Sequence, residues 1–249
     1  MQNIIWDDLK FFMGRLKSLS VSKSLNLNQN SFCVSTGCSF ESWVCYPDSL
    51  INSEDVKRVI EFFAANNISF MWPLYDDNDS TLLESSGLLY AGKLEAMTLD
   101  PCKAIIDKVN HSVSFKQVTT CELSREWAQT AWTGFDCGGD GVSENYYALV
   151  EAFMNDPKFS PYIAELDNKP AGTFIITHEN ALMGVYYFAT LPELRRSGIA
   201  ASMMNEICRL SEGKTITLQA TPSGVPFYKS FGFDDLFAIK VYSTESDIF

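Results

Sequence analysis

Apolar residues recur at spacings of three and four over Ile5, Leu9, Phe12, Met13 and Leu16, with Asp7 and Asp8 early in the run, which predicts an amphipathic helix packed on a core. A Ser/Asn-rich stretch to Ser31 precedes two short strand candidates, SFCVST and FESWVCY, separated by Gly37 and ended by Pro47; together they predict a hairpin. Val56, Val59, Ile60 and Phe63 make one apolar helix face, with Ser53 as N-cap candidate and Glu54 and Asp55 in the first turn. ISFMWPL reads as a buried strand and Asp76 to Asp79 as a polar turn. Thr81 to Ser86 reads as a short helix stopped by Gly87, and LLYAGKLEAMTL as one or two closing strands.

A linker-like stretch from Asp100 through Pro101 to His111 follows, and from Val113 the mixture of elements repeats in fuller form. SFKQVTT predicts a strand, Glu122 to Phe135 a helix, Gly138 to Gly141 an interruption, and Asn145 to Met154 a second helix. SPYIAEL, AGTFIITH and ALMGVYYFAT, joined by turns at Lys169–Pro170 and Glu179–Asn180, form an antiparallel meander. Gly198 to Leu210 is helical, with Ile199, Met203, Ile207 and Leu210 on one face. The strand TITLQA, the short helix VPFYKSF, Gly232 as a stop and a last strand through LFAIKVY complete this second unit. The reading is an α+β chain with mixed sheets in two domains, residues 1–110 and 111–249.

Composition narrows the function. At 249 residues, 46% hydrophobic and 20% charged, the chain is folded rather than disordered. The start MQNIIWDDLKFF lacks the basic end and apolar run of a signal peptide, and no window is long and apolar enough to span a membrane. Nineteen Lys and Arg against 31 Asp and Glu give a net charge of −12, which argues against nucleic acid. An acidic surface either steers a cationic amine inward or serves solubility alone. Seven cysteines suit reduced thiols in a cytoplasm; Cys33, Cys38 and Cys45 lack CxxC spacing and a nearby histidine, so buried strand thiols are preferred to a metal site.

The chemistry concentrates in ATLPELRRSGIAASMM, where a strand ends at Thr190 and a helix opens near Gly198. The first N–H groups of a helix have no intrahelical partner and favour an anion, and Arg195 and Arg196 add positive charge. A glycine opening a helix is also an ordinary turn, so this segment alone leaves phosphate binding and simple geometry both open.

Arg195, Arg196, Ser197, Gly198, Ile199 and Ala200 match the R/Q-x-x-G-x-G/A signature. Taken with Pro192 before it, TITLQA after the helix and the closing FYKSFGF, residues from about Val113 to Tyr242 resemble the GNAT superfamily of acyl-CoA N-acyltransferases. The resemblance implies a GNAT-type fold whose fourth and fifth strands splay apart. It implies acetyl-CoA as cosubstrate, with its pyrophosphate on residues 195–200 and its pantetheine against backbone atoms of Phe188, Ala189 and Thr190. It implies a primary amine of a small molecule or peptide as acceptor; cysteine spacing, net charge and hydropathy add the expectations of no metal and of neither nucleic acid nor membrane as partner. Tyr228 aligns with the family tyrosine that serves as general acid toward the departing thiol, against which stands a merely packed aromatic. The meander strand ALMGVYYFAT carries no carboxylate or histidine, leaving His178 and Glu165 as weak candidates for the general base, beside a water chain. His111 reads as inert. Tyr186, Tyr187 and Trp132 are candidates for the acceptor wall, or core aromatics. A non-catalytic acyl-CoA-binding or scaffold protein that keeps the fold is the rival reading; O-acyl transfer differs only in the pocket.

WPLYDDNDSTLLESSGLLYAGK resembles LQATPSGVPFYKSFGFDDLFAIK, aligning Gly87 with Gly232 and Leu83 with Tyr228. Before the first-half helix stand Asn52 and Ser53 rather than a phosphate loop. The first half therefore reads as a degenerate GNAT-like domain in tandem with a competent one, or as an N-terminal extension of similar element order.

Overall fold

A computed structural model of the protein describes residues 2–38, 41–47, 51–75, 80–138 and 141–246. The polar turn expected at Asp76 to Asp79 lies outside them, as do Phe40 of the second strand candidate and two residues of the Gly138 to Gly141 stretch. The chain forms two compact units, residues 1–97 with 219–225 and 235–249, and residues 98–218 with 226–234. The sequence boundary at 110/111 falls inside the second unit.

The first unit starts with helix α1 (Gln2–Ser18), which buries Ile5, Leu9, Phe12, Met13 and Leu16 as its spacing requires. Strands β1 (Lys23–Asn26), β2 (Phe32–Ser35) and β3 (Trp43–Cys45) form an antiparallel sheet, with Phe32 opposite Cys45. The hairpin is the one expected; β1 was not, because KSLN carries neither an apolar alternation nor β-branched residues. Helix α2 (Ser53–Ala65) is capped by Asn52, not Ser53: the Asn52 side chain accepts the Asp55 N–H at 2.8 Å. ISFMWPL contributes only β4 (Trp72–Pro73), bridged in parallel through Met71 to Trp43. Helix α3 (Thr81–Ser85) and Gly87 lead into one long strand, β5 (Leu89–Leu99). The last strand, β11 (Asp234–Ser243), was expected to complete the second unit. It instead lies between β4 and β5, pairing Val241 with Pro73 and Tyr242 with Trp72, and it buries Ile239, Val241 and Tyr242 there.

In the second unit the strands run in the order β10 (Thr215–Ala220), β9 (Leu182–Thr190), β8 (Lys169–Thr177), β7 (Phe159–Leu166) and β6 (Val113–Gln117). The meander β7–β8–β9 is antiparallel, as the sequence predicts. Every residue of β8 from Ala171 to Thr177 is buried, so helices cover both faces. Helix α6 (Ile199–Leu210) packs on one, where Met203 lies against Gly172; a Cβ there would stand 3.0 Å from its Sδ. Helices α4 (Cys121–Gly134) and α5 (Glu144–Asn155) pack on β7, β8 and β9, burying Trp127, Leu149, Val150 and Phe153. Helix α6 connects β9 to the parallel β10, the crossover that a parallel pair demands. The short helix α7 (Val225–Ser230) follows β10.

The two short helices end alike. Leu88 N–H donates to Leu83 O and Gly87 N–H to Glu84 O; Phe233 N–H donates to Tyr228 O and Gly232 N–H to Lys229 O. The glycines have φ of +89° and +92°, the left-handed conformation that glycine adopts at least cost. The aligned residues of the two halves thus occupy the same places in the same turn.

Candidate functional site: a splayed strand pair and the loop that follows it

Strands β9 and β10 pair only over Leu182, Met183 and Gly184 against Thr215, Ile216 and Thr217. Beyond Gly184 the strands part, as a splay of the fourth and fifth strands requires. A bulge on β9 adds to this. Thr173 pairs with Ala189 and Ile175 with Tyr186, so Tyr187 and Phe188 together face the single residue Phe174. Tyr187 takes a φ of +52°, a genuine outlier for an aromatic residue inside a strand. Its ring is fixed against Trp127 and Phe153, with centroids 5.4 and 5.5 Å away, and its carbonyl accepts from the Thr173 hydroxyl at 3.1 Å. Tyr187 is thereby a core aromatic rather than an acceptor wall. Trp132 donates its indole N–H to Gly138 O at 3.0 Å and packs against Tyr146.

At the end of β9 the chain passes through a 3-10 turn at Pro192–Leu194 into the loop before α6. Arg196 and Gly198 have φ of +64° and +84°. Gly198 stands at the N-cap without a side-chain cap, and the first turn of α6 holds no acidic residue, so its leading N–H groups have no intrahelical partner. The contrast with α2 is direct. There Asn52 fills the cap, and the Asp55 carboxylate, engaged by Tyr46 and Arg58, sets negative charge where an anion would sit. The first half has closed the end that the second leaves open.

A cleft of about 890 Å³ lies over this loop, within the roughly 300–1,000 Å³ of ordinary ligand pockets. Of the residues singled out from sequence, Thr190, Arg195, Arg196, Ser197, Gly198 and Ala200 line it. Ile199 is buried in the core beneath, while Phe188 and Ala189 lie on β9 just before Thr190 and outside the lining. The two arginines differ. Arg195 donates to the carbonyl of Gly134, the last residue of α4, at 3.0 Å and so ties the loop to a helix C-terminus whose partial negative charge suits a cation. Arg196 is exposed and, among the described residues, has no hydrogen-bond or ion-pair partner.

Another part of the cleft lining was invisible in the sequence. Residues 105–110, expected to be linker, are strapped onto the second unit. Ile105 N–H donates to Phe231 O at 2.9 Å, Asn110 N–H to the Ser202 hydroxyl at 2.9 Å, and the Asn110 amide to Ser197 O at 3.1 Å. The Ser202 hydroxyl lies 3.0 Å from Asn110 O. A Cβ on Gly198 would stand 2.6 Å from Lys108 O, so the strap is what makes glycine obligatory there. The only hint in the chain was the pair of apolar residues Ile105 and Ile106 in a polar stretch.

Tyr228, on α7, is ringed by Phe188, Phe227 and Phe233 at centroid distances of 5.9, 5.2 and 5.5 Å, and burial pushes its phenol above the ordinary value. Phe188 also meets Phe227, so these aromatics join β9 to α7 beside the splay.

Neither candidate base comes to the cleft. His178 follows Thr177, which neighbours Gly184, and at about 3.4 Å per residue Gly184 stands roughly 20 Å down the strand from Thr190. His178 is instead held by the Ser160 hydroxyl at 2.9 Å, with burial, Lys214 and Lys158 lowering its pKa. Glu165 is buried on β7 and ion-paired with Lys116 at 2.6 Å. Among the described residues, no group of His, Cys, Asp or Glu side chains is arranged to hold a metal ion, and no helix is long and apolar enough to cross a membrane. All seven cysteines are free; burial pushes the Cys33 thiol up to about 12.

Residues 157–235 match the model of the acetyltransferase (GNAT) domain, the segment that runs from β7 through α7. Among solved structures, a GCN5-related N-acetyltransferase from Kribbella flavida superposes with a TM-score of 0.67 at 13% identity, covering 97% of this chain and 94% of that one. A GCN5-related N-acetyltransferase-like protein from Streptococcus suis gives 0.57 at 12% identity, covering 97% and 99%. A tandem GNAT protein from the clavulanic acid biosynthesis pathway gives 0.57 at 9% identity, covering 90% and 83%. At such identities the likeness is one of fold. No curated protein matches by sequence.

Proposed function

We propose that this chain, whose residues 157–235 match the acetyltransferase (GNAT) domain, is an acetyl-CoA-dependent N-acetyltransferase of a primary amine in a small molecule or peptide. The observation that carries this reading is the uncapped start of α6 beside Arg196, which has no hydrogen-bond or ion-pair partner among the described residues, in a cleft that the end of β9 lines through Thr190. The donor set suits a diphosphate: N–H groups at a helix N-terminus, a free guanidinium and small residues at Gly198 and Ala200.

When bound, the coenzyme supplies a thioester carbonyl as the electrophile. The chain's own part is mainly positioning and electrostatics. The α6 N-terminus and Arg196 hold the diphosphate. Backbone atoms of Phe188, Ala189 and Thr190 along the freed edge of β9 guide the pantetheine arm. The bulge at Tyr187 and Phe188 takes backbone N–H out of the regular ladder, and such N–H groups are the donors this chain offers to a developing oxyanion. Tyr228 assists departure of the thiol. A thiol has a pKa of about 8.5 and a phenol about 10, raised further here, so full proton transfer from Tyr228 runs uphill by more than about 2 kcal/mol. Tyr228 therefore stabilises the thiolate as a hydrogen-bond donor. With His178 remote and Glu165 paired to Lys116, the amine loses its proton to water.

The sequence halves 1–110 and 111–249 are read as a duplicated domain of which only the second kept this chemistry. The matching helix stops at Gly87 and Gly232, and the opposite treatment of the α2 and α6 N-termini, support this. Seven free thiols suit a cytoplasmic setting. The test is a panel of primary amines and amino-terminal peptides assayed for release of free CoA from acetyl-CoA. Amine-dependent release that falls in a Tyr228→Phe variant supports catalysis. Tight coenzyme binding with no release by any amine favours an acyl-CoA-binding protein without catalysis.

A further inference from the structure

The strap at residues 105–110 has no counterpart among the residues that carry the coenzyme reading, yet it forms a full wall of the cleft through Ile105, Asp107, Lys108, Val109 and Asn110. It is fastened at both ends, to Phe231 O and to Ser202, and its middle is pressed on Gly198. Lys108 sits at that middle with a φ of +57°, a conformation disfavoured for a residue with a Cβ, and the Asp107 carboxylate accepts its N–H at 2.8 Å. Backbone held this firmly fixes where the Lys108 side chain starts. Its carbonyl is packed on the phosphate loop, and, among the described residues, its ammonium has no hydrogen-bond or ion-pair partner. Arg196, which lines the same cleft, likewise has none among the described residues. A protein of net charge −12 with 31 carboxylates has ample means to neutralise a surface cation, so two cations in the lining of one cleft, neither paired among the described residues, point to an anion supplied from outside.

We propose that the strap is part of the coenzyme site and that Lys108 is a second phosphate-binding cation, acting together with Arg196. This rests on the coenzyme reading above and adds to it a residue outside the signature. Ile105, 58% exposed, lines the same cleft as Phe227 and Phe231 and offers an apolar surface to the flat adenine that accompanies the phosphates. A coenzyme carries phosphate in two places, the diphosphate and the ribose 3′-phosphate, and the same ammonium chemistry serves either.

The experiment is a calorimetric titration of the full chain and its Lys108→Met and Lys108→Arg variants with acetyl-CoA and with acetyl-dephospho-CoA. Methionine keeps an unbranched apolar stem of nearly the same length as lysine's and removes the ammonium. The expected result is a three- to fivefold weaker affinity for acetyl-CoA in K108M at low salt, about the effect of one exposed charge pair, largely restored in K108R and erased at high salt. A loss confined to acetyl-CoA assigns Lys108 to the 3′-phosphate; an equal loss for both coenzymes assigns it to the diphosphate. Unchanged affinity in K108M, or a loss that K108R shares and salt does not reduce, overturns the proposal while leaving the coenzyme site standing. Failure of the unsubstituted chain to bind either coenzyme overturns both.

Discussion

Gly198 and Gly213 provide a controlled comparison. Both lie in the second unit with a φ of +84°, but a Cβ on Gly213 meets nothing within 4 Å, whereas a Cβ on Gly198 stands 2.6 Å from Lys108 O and 3.3 Å from Asn110. Alanine at Gly213 therefore carries only the cost of the left-handed backbone, roughly 1–2 kcal/mol. Alanine at Gly198 carries the same cost plus an overlap with a backbone carbonyl, which has no rotamer to escape into. Overpacking of this kind adds roughly 1–3 kcal/mol. The assay is urea unfolding of both variants in the absence of coenzyme, and G198A is expected to lose more stability than G213A by that increment. Equal losses would refute the account of the strap, because they would mean that nothing rigid rests on Gly198 and that the glycine serves only ligand clearance.

Three further outcomes follow from the same geometry. Tyr228→Phe removes one donor to a thiolate that is already a tolerable leaving group, so turnover is expected to fall about tenfold, within the range for a hydrogen bond to a charged group, with acetyl-CoA affinity unchanged; a collapse of affinity instead would mark Tyr228 as a packing residue. Arg195→Ala frees the Gly134 carbonyl and should lower the melting temperature, whereas Arg196→Ala should leave it in place and weaken acetyl-CoA binding, a split read by comparing thermal melts with titrations. His178 has its pKa lowered in the folded state, so the unfolded chain takes up the proton first and the histidine's stabilising contribution, present above about pH 6.5, is lost as pH falls below it. The urea midpoint of the unsubstituted chain should therefore drop more than that of His178→Gln between about pH 7.5 and about pH 5.5; parallel drops would contradict the assignment.

What the sequence disclosed and what it hid have physical causes. Helix α6 was legible because its apolar residues follow the helical period and Gly198 opens it; the meander was legible because β-branched and aromatic runs are broken by polar turn residues, although the first turn lies at Asp167–Asn168, both at positive φ, and the expected turn pair Lys169–Pro170 already belongs to β8. The loop at residues 195–200 was legible as a local signature, R-x-x-G-x-A. The strap was not, because Asp100, Pro101, Lys103, Asp107 and Lys108 have the composition of a solvated linker, and what fixes them are hydrogen bonds to Ser202 and Phe231, about a hundred residues away. The partner of Arg195 is equally non-local, a carbonyl at the end of α4. The bulge at Tyr187 was hidden for a different reason: an aromatic residue at positive φ violates its own preference and is held there by Trp127 and Phe153. The place of β11 in the first unit depends on the edge that β4 presents, which no local pattern in LFAIKVY encodes.

The central claim, a working coenzyme site on the α6 N-terminus, is tested most directly by calorimetric titration of the intact protein with acetyl-CoA, with free CoA and adenosine as controls. The account predicts micromolar binding of acetyl-CoA, comparable binding of CoA and far weaker binding of adenosine, since the phosphates carry the recognition. No detectable heat with acetyl-CoA, from a protein shown to be folded, would contradict it.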